Sequence, residues 1–299
     1  MLSLKRLQTR FLLTAFLTVF LAACAATPAP VQQNLKVETD DLAMAVDWAI
    51  TMSEQHGREN ILVVFDIDNT LLAMEQGLGS DQWYYWQKEL IKEDPCNQML
   101  VADRFAVQGA IFHASAMRPT QSDAAEQVAR AQNAGISTIA LTSRGSDYQL
   151  QTFRELRRAE ISFWETALEP ARGWPQPFVP DGGSRPALYQ DGVFLTAGQH
   201  KGDMLRALLD KTGTPAHTVI VMIDDKQENL DAVLEGFADS PTVVHAWRYT
   251  REDGEVESFD PDTADRQWQE IYPALMQVQK SLGPDNYDLP ESYNPECTR

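Results

Sequence analysis

Four short aliphatic runs constrain this chain more than any other feature: ILVVF at 61–65, ISTIAL at 136–141, TVIVMI at 218–223 and TVVHAW at 242–247. Each is too short for a helix and too uniformly apolar for a strand with one wet face. Such runs are strands buried on both sides, which calls for a parallel sheet with helices covering each face. The segments between them supply those helices. DLAMAVDWAITMSEQH (41–56) sets Leu42, Val46, Ala49 and Ile50 on one face, with Asp40 or Asp41 as its cap. TQSDAAEQVARAQNAG ends at Gly135, a residue suited to a helix C-terminus. SDYQLQTFRELRRAE, KGDMLRALLDKTG and KQENLDAVLEGF complete the alternation. The expected fold class is α/β, a Rossmann-like three-layer α/β/α arrangement of parallel strands joined by right-handed crossovers.

Two segments break the alternation. Residues 73 to about 118 show no strand signal and are rich in aromatics, including DQWYYWQKEL; they predict a helical cap insertion. Residues 161 to about 200 hold GWPQPFVPDGGSRP and then ALYQDGVFLTAG, which predicts a small β-hairpin insertion turning at Asp191-Gly192. One more helix, TADRQWQEIYPALMQVQKSL, precedes a polar C-terminal end. The folded domain is therefore expected over 41–299.

The N-terminus reads as a targeting segment. Lys5, Arg6 and Arg10 precede FLLTAFLTVFLAA, an apolar stretch of secretory length, and the stretch ends at LAAC. This resembles the lipobox of bacterial lipoproteins. The resemblance implies a signal peptide over 1–23, lipid on Cys24 as an anchor to the membrane, and, with Ala25 following, an outer-membrane position facing the periplasm. Residues 24–40, CAATPAPVQQNLKVETD, read as a tether. Cys96 and Cys297 remain, and in an oxidising compartment they either close a disulfide or stay as two thiols.

The formal charge is −18, so the surface repels polyphosphate backbones and nucleic acid is not an expected partner. A phosphorylated small molecule remains compatible if a metal and a few cations reverse the field at one place.

Three of the buried runs end in polar clusters: FDIDNT, LTSR and IDD. In a parallel sheet these ends share one edge, where open α/β sheets bind ligands. Asp66, Asp68, Thr142, Arg144, Asp224 and Asp225 should therefore meet in one crevice. Four carboxylates together call for a cation, and Mg²⁺ suits a small carboxylate count completed by water and phosphate oxygens. Lys201 in GQHKGDML, at a helix start, is placed to reach over the same edge.

DIDNTL, LTSR, KG and DD, in that order over residues 60–250, resemble the haloacid dehalogenase superfamily of hydrolases, and with the lipobox they resemble its bacterial lipoprotein acid phosphatases. In those phosphatases an acidic residue follows the second Asp; here it is Asn69. The resemblance implies a Mg²⁺-dependent phosphatase. In it Asp66 is the nucleophile and Asp68 the general acid and then base. Thr142 binds a phosphoryl oxygen and Lys201 neutralises charge; Arg144, apart from the resemblance, reads as a salt-bridge partner for the acidic cluster, with substrate binding as the alternative. Asp66, the Asp68 backbone carbonyl and one of Asp224 and Asp225 would hold the metal. A phosphotransferase or mutase using the same aspartyl-phosphate, and a non-catalytic envelope lipoprotein on the same fold, are the alternatives. Trp83, Tyr84, Tyr85 and Trp86 fit either a stacking platform over the crevice or the core of the cap.

Overall fold

A computed structural model describes residues 33–282 and Cys297. The signal segment, Cys24 and the first part of the tether lie outside the described residues. In chain order the elements are β1 (Leu35–Thr39), α1 (Leu42–His56), β2 (Ile61–Phe65), β3 (Leu72–Met74), α2 (Asp81–Glu93), α3 (Arg104–Ala114), β4 (Met117–Pro119), α4 (Ala124–Asn133), β5 (Ser137–Thr142), α5 (Gln149–Arg158), β6 (Leu188–Gln190), β7 (Val193–Leu195), α6 (Lys201–Thr212), β8 (Val219–Asp224), α7 (Gln227–Gly236), β9 (Val243–Tyr249), α8 (Asp253–Glu257) and α9 (Pro261–Leu282).

The four aliphatic runs are β2, β5, β8 and β9, and they form the middle of a sheet ordered β1-β9-β8-β2-β5-β7-β6. Every neighbouring pair is parallel except β6 with β7. Helices cover both faces, as the uniform apolarity demands. Val63 and Phe65 of β2 face one core with Val46 of α1, Val128 of α4 and Leu156 of α5. Leu62 and Val64 face the other, with Leu205 of α6 and Val233 of α7. Asp41 caps α1, its side chain accepting from the Ala43 amide at 2.9 Å.

The chain leaves β2 towards β5 on one side and returns to β8 on the other. The C-terminal end of β2 is thus a switch point, where loops diverge and leave a crevice.

Three expectations need correcting. Residues 35–39, assigned to the tether, form the edge strand β1 beside β9, with Val37 opposite Trp247. The alternation Leu35, Val37, Thr39 is a half-buried pattern, but five residues after a Pro- and Ala-rich stretch give it little weight in sequence. The cap, expected without strands, enters and leaves through the antiparallel pair β3 and β4. Strands of three residues fall below any periodicity. The hairpin turns at Asp191-Gly192, both at positive φ (46° and 78°), as a tight primed turn requires. It is not an appendage, because β7 pairs with β5 and extends the main sheet.

The cap has its own core. Trp83, Val101, Val107 and Ile111 pack with Ala264 and Trp268 of α9, so the C-terminal helix braces the insertion. Cys96, in the loop after α2, is disulfide-bonded to Cys297 with Cα atoms 5.4 Å apart. This resolves the choice between bridge and free thiols.

Lys201 opens α6, and Gly202 follows it at the crossing of α6 and α7. A Cβ on Gly202 would lie 2.0 Å from the Ala232 carbonyl oxygen, and one on Gly236 2.7 Å from Gly202 Cα. Only glycine permits this approach, and it sets where Lys201 starts. Gly202→Ala should separate the helices and destabilise the protein by about 1–3 kcal/mol, read from the midpoint of a urea unfolding curve.

Candidate active site

The crevice is assembled from four chain segments. Asp66 directly follows β2, and its amide donates to the Ile223 carbonyl at 2.9 Å, so it stays in ladder with β8. The chain then turns sharply. The amides of Thr70, Leu71 and Leu72 all donate to the Ile67 carbonyl, and Asn69 sits at φ 56°. This turn lifts Asp68 towards the mouth while Asp66 stays only 4% exposed. Thr70 ties the turn to the next segment, its hydroxyl oxygen accepting from the Asp225 amide at 3.0 Å.

Lys201 is the centre. Its Nζ lies 2.6 Å from Asp66 Oδ1 and 2.6 Å from Asp224 Oδ2, and the side chain is 2% exposed. Asp224, fully buried, also accepts on Oδ1 from the Lys226 amide at 2.9 Å and from Asn229 Nδ2 at 2.8 Å. Its carboxylate is thereby committed to holding Lys201. Asp225 differs: 8% exposed, its carboxylate accepts no hydrogen bond among the described residues. Asp66, Asp224 and Asp225 offer carboxylate oxygens within 4.8 Å of one another.

Arg144 grips Asp68. Its Nε donates to Oδ2 at 2.9 Å and its Nη2 to Oδ1 at 2.7 Å, a two-pronged match of guanidinium to carboxylate. Its Nη1 donates to Thr152 at 2.9 Å, and the guanidinium lies 4.4 Å above the Phe112 ring of the cap. Arg144 is therefore the partner of Asp68 here. The Thr142 hydroxyl oxygen accepts from the Arg144 amide at 3.2 Å, which leaves its proton free for an acceptor.

The electrostatics show an excess of negative charge. Burial, then the carboxylates of Asp224 and Asp68, push Asp66 up to about 7 against the pull of Lys201. Burial, then the carboxylates of Asp224 and Asp66, raise Asp225 well above the carboxylate range. Burial disfavours the Lys201 ammonium, yet Asp224 and Asp66 outweigh it and hold Lys201 above its ordinary value. Lys201 stays charged and still leaves the carboxylates short of positive charge. All three are hard oxygen donors with no sulfur or imidazole among them, the chemistry of a small divalent cation site.

The seven predicted residues thus form two side-chain groups, Lys201 with Asp66 and Asp224 and Arg144 with Asp68 and Thr142, coupled through the charges of Asp66 and Asp68, with Asp225 beside the first. Three others were missed. Thr70 lies inside the first motif, the one available signal. Asn229 reads from sequence as an ordinary helix residue. Lys226 has no sequence signal beyond adjacency to Asp225. The aromatic run divides by helix face: Trp83 and Trp86 pack inward with the α9 side, while Tyr85 lies under Lys226, 3.5 Å from ring centroid to Nζ. A cleft of about 400 Å³ lies elsewhere, between the β3–α2 loop and the α8–α9 segment, and none of these seven residues lines it.

Comparison with known proteins gives three findings. A family described as "Protein of unknown function (DUF2608)" matches residues 41–280. A Chlamydia pneumoniae protein, whose name provisionally calls it an outer membrane protein, is 24% identical over 180 residues, covering 58% of this chain. This chain spans 63% of the length of that relative. A crystal structure of a class C acid phosphatase from Bacillus anthracis with tungstate bound superposes with a TM-score of 0.36 at 11% identity, over 83% of this chain and 89% of that one. The α/β assignment rests on this chain's own strand order.

The carboxylate shifts have a sign that can be checked. With its folded value near 7 against an ordinary 3.8, metal-free Asp66 binds its proton more tightly folded than unfolded. That stability is full below about pH 4 and is lost as pH rises towards 7; Asp225 adds to the same slope. In EDTA, the Tm should fall between pH 5 and 7. Asp66→Asn should make that fall shallower, and a saturating divalent cation should do so too.

Proposed function

We propose that this chain, which belongs to the DUF2608 family, is a Mg²⁺-dependent phosphomonoesterase of the haloacid dehalogenase type, working through an aspartyl-phosphate. The observation that carries this reading is Lys201 bridging Asp66 and Asp224, with the unpartnered Asp225 carboxylate beside them. A structural ion pair needs one carboxylate per lysine. This site gathers more buried carboxylates than its lysine balances, so it is built for a cation and an anion together.

The roles follow the motif order read from the sequence and the contacts in the crevice. Asp66 is the nucleophile: its carboxylate oxygen bonds to phosphorus as the bond to the leaving alkoxide breaks. Asp68, entering the cycle protonated and oriented by Arg144, gives the alkoxide its proton and becomes the carboxylate. In the second half Asp68 takes a proton from water, the water oxygen bonds to phosphorus, and the bond to Asp66 breaks, releasing phosphate. Thr142 donates its hydroxyl proton to a phosphoryl oxygen. Lys201 opposes the charge that builds on phosphoryl and nucleophile. Mg²⁺, held by Asp66, Asp225 and the Asp68 backbone carbonyl, would supply further neutralisation of the phosphoryl oxygens. Asp224 is taken up by Lys201, Lys226 and Asn229, which leaves Asp225 as the direct ligand.

The protein is read as lipid-anchored through Cys24 at the outer membrane, facing the periplasm. The LAAC pattern supports this, as does the outer-membrane name of the chlamydial relative. No helix among the described residues is long and apolar enough to cross a membrane.

A form lacking residues 1–24 should hydrolyse a chromogenic phosphomonoester with Mg²⁺. EDTA should abolish turnover, and Asp66→Asn should reduce it by at least about 10³-fold. Equal activity in the three samples would remove the mechanism, and inactivity across a broad ester panel would favour a binding module. Labelled palmitate should mark the full chain in a Gram-negative host and leave Cys24→Ser unlabelled.

A further inference from the structure

Lys226 immediately follows the acidic pair. Its base belongs to the crevice, because its amide donates to Asp224 Oδ1. Its side chain leaves the crevice wall and meets the cap. Nζ lies 2.5 Å from Asp81 Oδ2 and rests on the Tyr85 ring. Asp81 and Tyr85 are four residues apart on α2, so one helix face presents both. The Ser80 side chain caps that helix by accepting from the Trp83 amide, which fixes where Asp81 begins it. Asp81 is near enough to Asp68 and Lys201 for their charges to act on it, and Lys226 is near enough to act on Asp225. The pair therefore joins the cap to the segment carrying Asp224 and Asp225, close enough to Asp68, Lys201 and Asp225 for charge to act between them.

The other cations there are committed. Lys201 is shared between Asp66 and Asp224, and both prongs of Arg144 are on Asp68. A phosphate monoester carries close to two negative charges at neutral pH. It enters a crevice whose resident lysine and arginine already serve carboxylates. Lys226 is different in kind: its ion-pair partner, Asp81, comes from the cap and takes no part in the proposed chemistry. An ammonium on a four-carbon stem can exchange one oxygen anion for another while Tyr85 keeps hold of it.

We propose that Lys226 is a second phosphoryl-binding cation and that Asp81 is a placeholder anion which occupies it until phosphate displaces it. This rests on the phosphatase reading and names the pair that sets the affinity of that site for its anion. Asp81 is then a positioning residue, acting through Lys226. An ordinary cap-to-core salt bridge has the same resting geometry, but it predicts that losing either partner does the same harm.

The test uses the full-length chain in detergent with saturating Mg²⁺, and reads orthophosphate affinity by calorimetry beside KM and kcat on the chromogenic ester. Lys226→Met should weaken orthophosphate and raise KM about tenfold, the worth of one charge-assisted hydrogen bond, with a smaller change in kcat. Asp81→Asn should move both the other way, tightening orthophosphate by roughly three- to tenfold. In the Lys226→Met background Asp81→Asn should bring no gain. Weakening by both single variants overturns the proposal. So does an equal gain from Asp81→Asn in both backgrounds, which would be a general field effect. Lys226→Gln replaces the Met variant if that one does not fold. Wild type that binds orthophosphate with these shifts yet turns nothing over would sink the catalytic reading and leave this one standing. Wild type that binds no orthophosphate sinks the proposal.

Discussion

The ammonium of Lys201, buried between Asp66 and Asp224, is the contact on which the rest of this structure depends. Three ionisable groups taken out of water carry a desolvation penalty of several kcal/mol each, and mutual attraction recovers it only when the geometry is good. An apolar trio of the same volume would hold the fold as well or better. Stability alone therefore does not account for the arrangement. Its geometry is held from outside: the glycine contact between α6 and α7 sets the start of Lys201, and the parallel pairing of β2 with β8 sets Asp66 beside Asp224.

Around that centre the crevice is cross-tied by hydrogen bonds that join one strand end to another. Thr70 links the turn after β2 to the Asp225 amide, and Arg144 links the end of β5 to Asp68. The Thr196 amide and hydroxyl both donate to the Thr142 carbonyl, fastening β7 to β5 beneath the crevice. The first two ties run between segments that meet at the switch point, and the third fastens the neighbouring strand. A crevice so tied holds its carboxylates in register and leaves the Asp225 carboxylate without a hydrogen-bond partner among the described residues. That imbalance is what a cation would satisfy.

The cap is held on two sides. Its inward face packs Trp83 on α9, and its connecting loop is bonded through Cys96 to Cys297. The crevice-facing side touches the sheet domain through Asp81, Tyr85 and Phe112, which meet Lys226 and Arg144. A cap fastened away from the crevice and joined to it by ion pairs and ring faces can change its polar contacts without losing its core.

The sequence by itself determined the sheet, its covering helices and the polar residues gathered at its edge. Strands buried on both faces must be unbroken aliphatic runs, and a carboxylate at the end of such a run is too costly to keep without a use. Asp66, Asp68, Asp224 and Asp225 were legible for that reason, and Thr142 and Lys201 by their place in the order of motifs around them. Only the tertiary structure decided which of the acidic pair serves Lys201 and which stands free. It also decided that Arg144 belongs to Asp68, that β1 and β7 join the sheet, that Cys96 meets Cys297, and that Lys226 crosses to Asp81. Every one of these is a pairing between residues with no local pattern to announce it. A strand of three to five residues, or a lone lysine, takes its meaning from whatever the fold sets opposite it.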